Sequence, residues 1–171
     1  PETANVKLND HPDTLACPTC HIPEFARGGY ATKMWWDWST AGKLTPEGKP
    51  LKINDEKGHQ IYNGMKGDFR WGENVMPEYR WFDGTSKFTL FGDEVTGEEV
   101  VSINDYGGSA GDPDSRIWPF KIMRGKQPYD KELKTLAVVH TWGPGDETAY
   151  WTGYDWDKAL EAGMKKAGAN Y

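Results

Sequence analysis

The chain has 171 residues, with 20 Lys+Arg against 26 Asp+Glu for a formal net charge of −6, and a mean hydropathy of −0.78. That length fits one domain or a substantial piece of a larger one, the acidic balance disfavours nucleic-acid binding, and no run reaches the ~18 apolar residues that span a bilayer. Hydrophobic residues make up only 37% while 9 Trp, 8 Tyr and 6 Phe are present, which excludes a disordered composition and suggests a scaffold wrapped around something large, flat and apolar.

Residues 1–12 read as polar and extended, because the residue before a proline is pushed out of the α region and His11 precedes Pro12. Asp13 is placed to cap a short helical turn, Thr14 to Thr19, that presents Cys17 and Cys20 on adjacent turns. Pro23 starts a second turn, Pro23–Arg27, ended by Gly28-Gly29. The segment Lys33-Met34-Trp35-Trp36-Asp37-Trp38 follows, and its neighbours Trp35 and Trp36 point to different sides in any regular structure. Ser39 to Gly67 reads as loop, with turns at Pro46-Glu47-Gly48 and Lys57-Gly58.

Residues 76–106 read as a β-meander insert. In it Tyr79-Arg80-Trp81-Phe82 is joined by Asp83-Gly84 to Lys87-Phe88-Thr89-Leu90, with Val100-Val101-Ser102-Ile103 as a third strand. Gly107 to Pro119 reads as irregular, and Leu136–His140 as a short apolar run ending in histidine. Asp155 or Asp157 caps a helix over Lys158–Ala162 that closes near Gly168. The expected fold is mostly irregular α+β: short helices, a small β-meander and a C-terminal helix. The chain begins Pro1-Glu2-Thr3 without Met, and so reads as a processed chain or a fragment.

The two cysteines lie in Cys17-Pro18-Thr19-Cys20-His21. Cys-x-x-Cys-His is the attachment signature of haem c: two thiols reach the two vinyl groups on one porphyrin edge, and the adjacent histidine donates a nitrogen to iron. Haem would also explain the aromatic surplus, since porphyrin faces pack against such side chains. A Cys2His2 zinc site from Cys17, Cys20 and two of His11, His59 and His140 is the competing reading, although the second pair lacks close spacing. A thioredoxin-like dithiol lacks its βαβ context.

For a second axial ligand, His140 at the end of its apolar run is the candidate, with a backbone carbonyl as the alternative partner of its ring. His11 lies six residues before Cys17, too close to swing readily over the same haem; it is a candidate ligand of a neighbouring one, or a solvated loop residue. His59, in Lys57-Gly58-His59-Gln60, reads as a surface turn residue. Met34, Met65, Met76, Met123 and Met164 are more often packing than ligands.

Longer blocks carry a wider resemblance. The stretch from Cys20-His21-Ile22-Pro23-Glu24-Phe25 through Met34-Trp35-Trp36-Asp37-Trp38 to Gly42 is one; Lys66-Gly67-Asp68-Phe69-Arg70-Trp71-Gly72, running into Pro77-Glu78-Tyr79-Arg80-Trp81-Phe82, is another. Ile117-Trp118-Pro119-Phe120-Lys121, Thr148-Ala149-Tyr150-Trp151 and Asp155-Trp156-Asp157-Lys158-Ala159-Leu160 complete them. Together they resemble the octahaem tetrathionate reductase family of multihaem cytochromes c. That family carries eight haems and this chain one motif, so residues 1–171 resemble a central segment: a single haem c-binding segment of a larger multihaem protein.

The resemblance implies a periplasmic or extracellular setting and electron transfer to sulfur or nitrogen oxyanions such as tetrathionate, nitrite and hydroxylamine. It implies other haem-bearing segments or chains and redox partner cytochromes as partners, and bis-His haems feeding one with a lysine ligand. Lys66 and Lys33, inside the matching blocks, are the candidate catalytic residues, supplying charge and protons to an anion; the ordinary reading is a solvated lysine. Asp37, Asp68 and Glu78 would relay protons or pair with Arg70 and Arg80. A non-catalytic multihaem conduit is the alternative.

Overall fold

The computed structural model describes residue 4 and residues 6–169. In chain order it contains α1 (Val6–Thr14), α2 (Cys17–His21), β1 (Thr32–Asp37), a 3-10 turn (Trp38–Thr40), β2 (Lys52–Asn54), β3 (Gln60–Asn63), β4 (Gly67–Gly72), β5 (Glu78–Phe82), β6 (Ser86–Phe88) and β7 (Asn104–Tyr106). Then come β8 (Arg116–Phe120), β9 (Arg124–Lys126), β10 (Tyr129–Asp130), β11 (Thr135–Leu136), α3 (Tyr150–Gly153) and α4 (Trp156–Lys166). The α+β class, with few short helices, small sheets and a C-terminal helix, is as expected. Two compact units form: one from the described residues up to Met34 with Trp71–Thr89 and Ser102–Met123, the other from Trp35–Arg70, Leu90–Val101 and the described residues from Arg124 onward.

In the first unit the pairing differs from a meander. Strand β5 pairs antiparallel with β8, from Glu78↔Phe120 to Phe82↔Arg116, and β6 pairs with β7. Asp83-Gly84 therefore does not close a hairpin between neighbours. The Asp83 carboxylate instead accepts from the amide and hydroxyl of Thr85, at 2.8 and 2.6 Å, while its own amide donates to Gly107 O. A ring cluster holds the arrangement: Phe82 meets Tyr106, Trp118 and Phe120 edge-on at 5.5–5.9 Å, and Tyr106 stacks on Phe120 at 4.5 Å. The expected strand at Val100–Ile103 begins instead at Asn104, and the stretch expected to be irregular supplies β8.

The N-terminal expectations also change. Residues from Val6 are helical rather than extended, with Pro12 in the last turn of α1, where the helix ends two residues later. No helical turn forms at Pro23–Arg27; Phe25 bridges to Val75 through two 2.9 Å backbone bonds.

The second unit carries a five-stranded sheet in the order β2-β3-β4-β1-β9. Within the expected loop from Ser39 to Gly67, the short strands β2 and β3 join this sheet. Strands β2 and β3 pair antiparallel around the Lys57-Gly58 turn, and β1 pairs parallel with β9, Trp35↔Arg124 to Asp37↔Lys126. Gly67, at φ +84°, enters β4 where a Cβ would lie 2.0 Å from Asp37 O, so only glycine fits. The core includes Tyr62, Phe69, Tyr150, Ala159 and Met164.

Helix α4 is capped by Asp155, whose carboxylate accepts from the Lys158 amide at 3.2 Å. That bond holds the Asp155 carboxyl below its usual range, against a small opposing effect of burial. A depressed carboxylate stabilises the fold above its unfolded pKa and loses that contribution as pH falls through the folded value. Asp155→Asn is therefore expected to unfold at a urea midpoint less sensitive to acidification below about pH 4 than the parent chain. Equal acid slopes would refute the assignment.

Candidate functional site

Cys17, Cys20 and His21 are held on one short helix. Ala16 gives α2 no side-chain cap, and Pro18 in the first turn starts the helix by its fixed φ. The helix is fastened from below: Ala16 N–H donates to Ile117 O at 3.1 Å, and the Thr19 hydroxyl donates to the same carbonyl at 2.6 Å. Arg116 Nε reaches back to Pro12 O at 2.7 Å. Ala16 is buried, whereas both cysteines are free and exposed, as is His21.

A groove of about 90 Å3 lies beside them, lined by His11, Pro12, Leu15, Ala16, Cys17, Cys20 and His21. Two thiols three residues apart share a helix face. With an imidazole next to them and no carboxylate in the lining, the donor set suits a covalently held tetrapyrrole. The groove is smaller than the roughly 300–1,000 Å3 that encloses a drug-sized ligand, so it has room for no more than the edge of a large planar group. His11, expected to serve elsewhere, lines this same groove. Among the described residues no three His, Cys, Asp or Glu side chains gather as a metal site, and His59 and His140 are each bonded to a carboxylate.

His140 belongs to the second unit and is largely buried. Its Nε2 lies 2.9 Å from Asp146 Oδ2, and Lys166 Nζ stands 3.4 Å from both ring nitrogens. The Thr148 hydroxyl, then His140, hold the Asp146 carboxyl well below the usual range. The backbone of His140 is pinned on both sides, its N–H to Ala159 O at 2.9 Å and its C=O by Tyr150 N–H at 2.8 Å. The ring's partner is thus a carboxylate rather than a backbone carbonyl. Asp146 was not singled out by sequence; the Asp-x-Thr spacing announces only its local turn. His59 is engaged within its own turn, Nδ1 to Asp55 Oδ2 at 3.2 Å.

The two candidate lysines each lie over an indole: Lys33 Nζ over Trp71 in the first unit and Lys66 Nζ over Trp151 in the second, both 5.5 Å from the ring centroid. The Lys66 carbonyl accepts from Trp36 Nε1. Asp37 does not pair with Arg70. Burial raises its pKa, but the Ser39 hydroxyl, the Lys126 ammonium 3.4 Å away and the Ser39 amide outweigh that and hold it below the usual range. Asp37, Asp68 and Arg70 line a cavity of about 460 Å3 with Trp35, Ile61 and Phe69. Glu78 and Arg80 form an exposed pair at 3.3 Å. No helix of the described residues is long and apolar enough to cross a membrane.

Comparison with known proteins adds an independent line. The family model described as bacterial cytochrome c matches residues 33–171. That span begins after the Cys-x-x-Cys-His motif, so the likeness is carried by the rest of the chain. The crystal structure of an octahaem cytochrome c from Shewanella oneidensis is 38% identical, with a TM-score of 0.83, over 99% of this chain and 38% of that one. The chain thus spans little more than a third of that protein's length. No curated protein matches.

Proposed function

Since the chain belongs to the bacterial cytochrome c family, whose members carry electrons on covalently bound haem c, we propose that Cys17 and Cys20 form the thioethers and His21 is the proximal iron ligand. The observation that carries this reading is the exposed, free pair of thiols beside an exposed imidazole on a helix that β8 holds in place. Bound there, the haem supplies reversible one-electron chemistry. The chain's own part is to fix the thiols on one face, to bury Ala16 and tie Thr19 beneath them, and to keep carboxylates out of the groove.

His140 is the candidate second ligand in this reading, with Asp146 fixing its ring as a carboxylate commonly does for a metal-bound histidine. His11, at the groove, is the candidate ligand of a neighbouring haem. The likeness to an octahaem protein supports a role inside a longer multihaem assembly, placed in the periplasm, whose partners are other haem-bearing segments or chains and redox cytochromes.

The reaction that fits the resemblance is reduction of sulfur or nitrogen oxyanions such as tetrathionate and nitrite, or of neutral hydroxylamine. Lys66 in the second unit, or Lys33 in the first, would lend positive charge to an anionic acceptor. In the full polypeptide, reduced with dithionite and mixed anaerobically with each acceptor, the haem absorption is expected to return to its ferric form. Lys66→Ala should slow that return on the order of 10²-fold, the effect of losing one well-placed charge donor, with haem content unchanged. Reoxidation by none of the acceptors would favour the non-catalytic conduit.

A further inference from the structure

The second unit holds an unbroken file of oxidisable rings. Centroids are 5.7 Å apart for Trp36–Trp38, 5.4 Å for Trp38–Trp156, 4.1 Å for Trp156–Tyr150 and 5.9 Å for Tyr150–Tyr154. Core packing explains such contacts. It does not explain the polar atoms along the file. Trp38 Nε1 and the Tyr150 hydroxyl are buried and have no hydrogen-bond partner among the described residues, and an aliphatic side chain or a phenylalanine would fill the space without that cost. Burial also pushes the Tyr150 phenol up to about 12. Rings that keep their protons and touch in succession, alternately tilted and edge-on, suit a different task.

We propose that the file Trp36–Trp38–Trp156–Tyr150–Tyr154 is a hole-transfer route that carries one-electron oxidation from Trp36 to Tyr154. The oxidant is a one-electron acceptor strong enough to oxidise indole, of the class of peroxide-derived radicals or photogenerated metal complexes. It takes one electron from Trp36, whose Nε1–H is bonded to the Lys66 carbonyl; a carbonyl is no base, so the ring becomes a cation radical. Trp38 returns an electron to Trp36 and keeps its own proton, having no acceptor for it. Trp156 repeats the step. Tyr150 is fully buried and cannot release its proton, so it stays reduced and bridges the last gap. Tyr154, only partly buried, gives up one electron to the file and its phenolic proton to water. In balance the oxidant gains one electron and Tyr154 loses one electron and one proton. This protective route goes beyond haem-based transfer and does not depend on which residues bind iron.

The test is flash oxidation of the ferric holoprotein with photogenerated tris(bipyridine)ruthenium(III), persulfate being the final electron acceptor, and oxidised residues mapped by peptide mass spectrometry. Tyr30, 81% exposed, serves as the internal reference for direct attack. Trp156→Phe is expected to lower the Tyr154-to-Tyr30 oxidation ratio several-fold. Tyr154→Phe is expected to raise oxidation at Trp38 and Trp156 several-fold. An unchanged ratio in the first variant, or no gain at tryptophan in the second, overturns the route. If circular dichroism shows Trp156→Phe unfolded, the Tyr154→Phe result decides alone.

Discussion

The double variant Cys17→Ala/Cys20→Ala is expected to emerge from the cell with no covalent haem. Its intact mass should equal that of the polypeptide alone, and a denaturing gel stained for haem should show no band. The size of the effect follows from the site. Once both thioethers are gone no covalent bond holds the group, and a groove of about 90 Å3 is too small to enclose it. Each single variant keeps one thioether and should show a weakened band at the mass of one haem. A double variant carrying its full haem mass would overturn the roles assigned to both cysteines.

Gly163→Ala is expected to destabilise the second unit by about 3 kcal/mol, seen as a fall in Tm on the order of 10 °C. Helix propensity alone argues for the opposite sign, since alanine is better than glycine in a helix interior by roughly 1 kcal/mol. Packing decides. A Cβ at Gly163 would lie 2.1 Å from Val138 O and 2.7 Å from His140 N, both backbone atoms that cannot swing aside. Nor can α4 back away freely: His140 N–H is bonded to Ala159 O, Val138 N–H points at Met164 Sδ at 3.1 Å, and Met164 is fully buried. The same clash would push on the backbone that carries His140, and thermal melts of variant and parent read the loss directly. A Tm equal to or above that of the parent would refute the close approach.

What could be read from the chain beforehand divides along a physical line. Cys17, Cys20 and His21 are legible because their chemistry is local: three residues of spacing fix which helix face they share. Asp155 and α4 are legible for the same reason, a cap followed by a short amphipathic run. The two sides of Trp35 and Trp36 also follow from strand geometry alone: Trp35 lies under Arg70 at 5.7 Å, while Trp36 meets Trp38 and Phe69.

Non-local choices were not legible. Asp83-Gly84 carries a strong local hairpin signal, but β5 gains more by pairing with β8, because Phe82 then joins Tyr106, Trp118 and Phe120. Likewise Asp146 reveals its turn in sequence and conceals that its second oxygen faces His140. His11 and Pro12 read as a break and sit in a helix, since a proline near the end of α1 forfeits little. Lys33 and Lys66 stand out in sequence only through the matching blocks, and their sequence neighbours do not reveal that each ammonium lies over an indole.

The tie between α2 and β8 bears on the order of maturation. Thr19 and Ile117 are 98 positions apart in the chain, so a polypeptide made N-terminus first presents its thiols long before the strand that will clamp them arrives. Through that interval the motif lacks the two bonds that tie it to Ile117. Closing so long a loop is slow in folding terms. The delay leaves the thiols unclamped, and the arrival of β8 then fixes the helix in place.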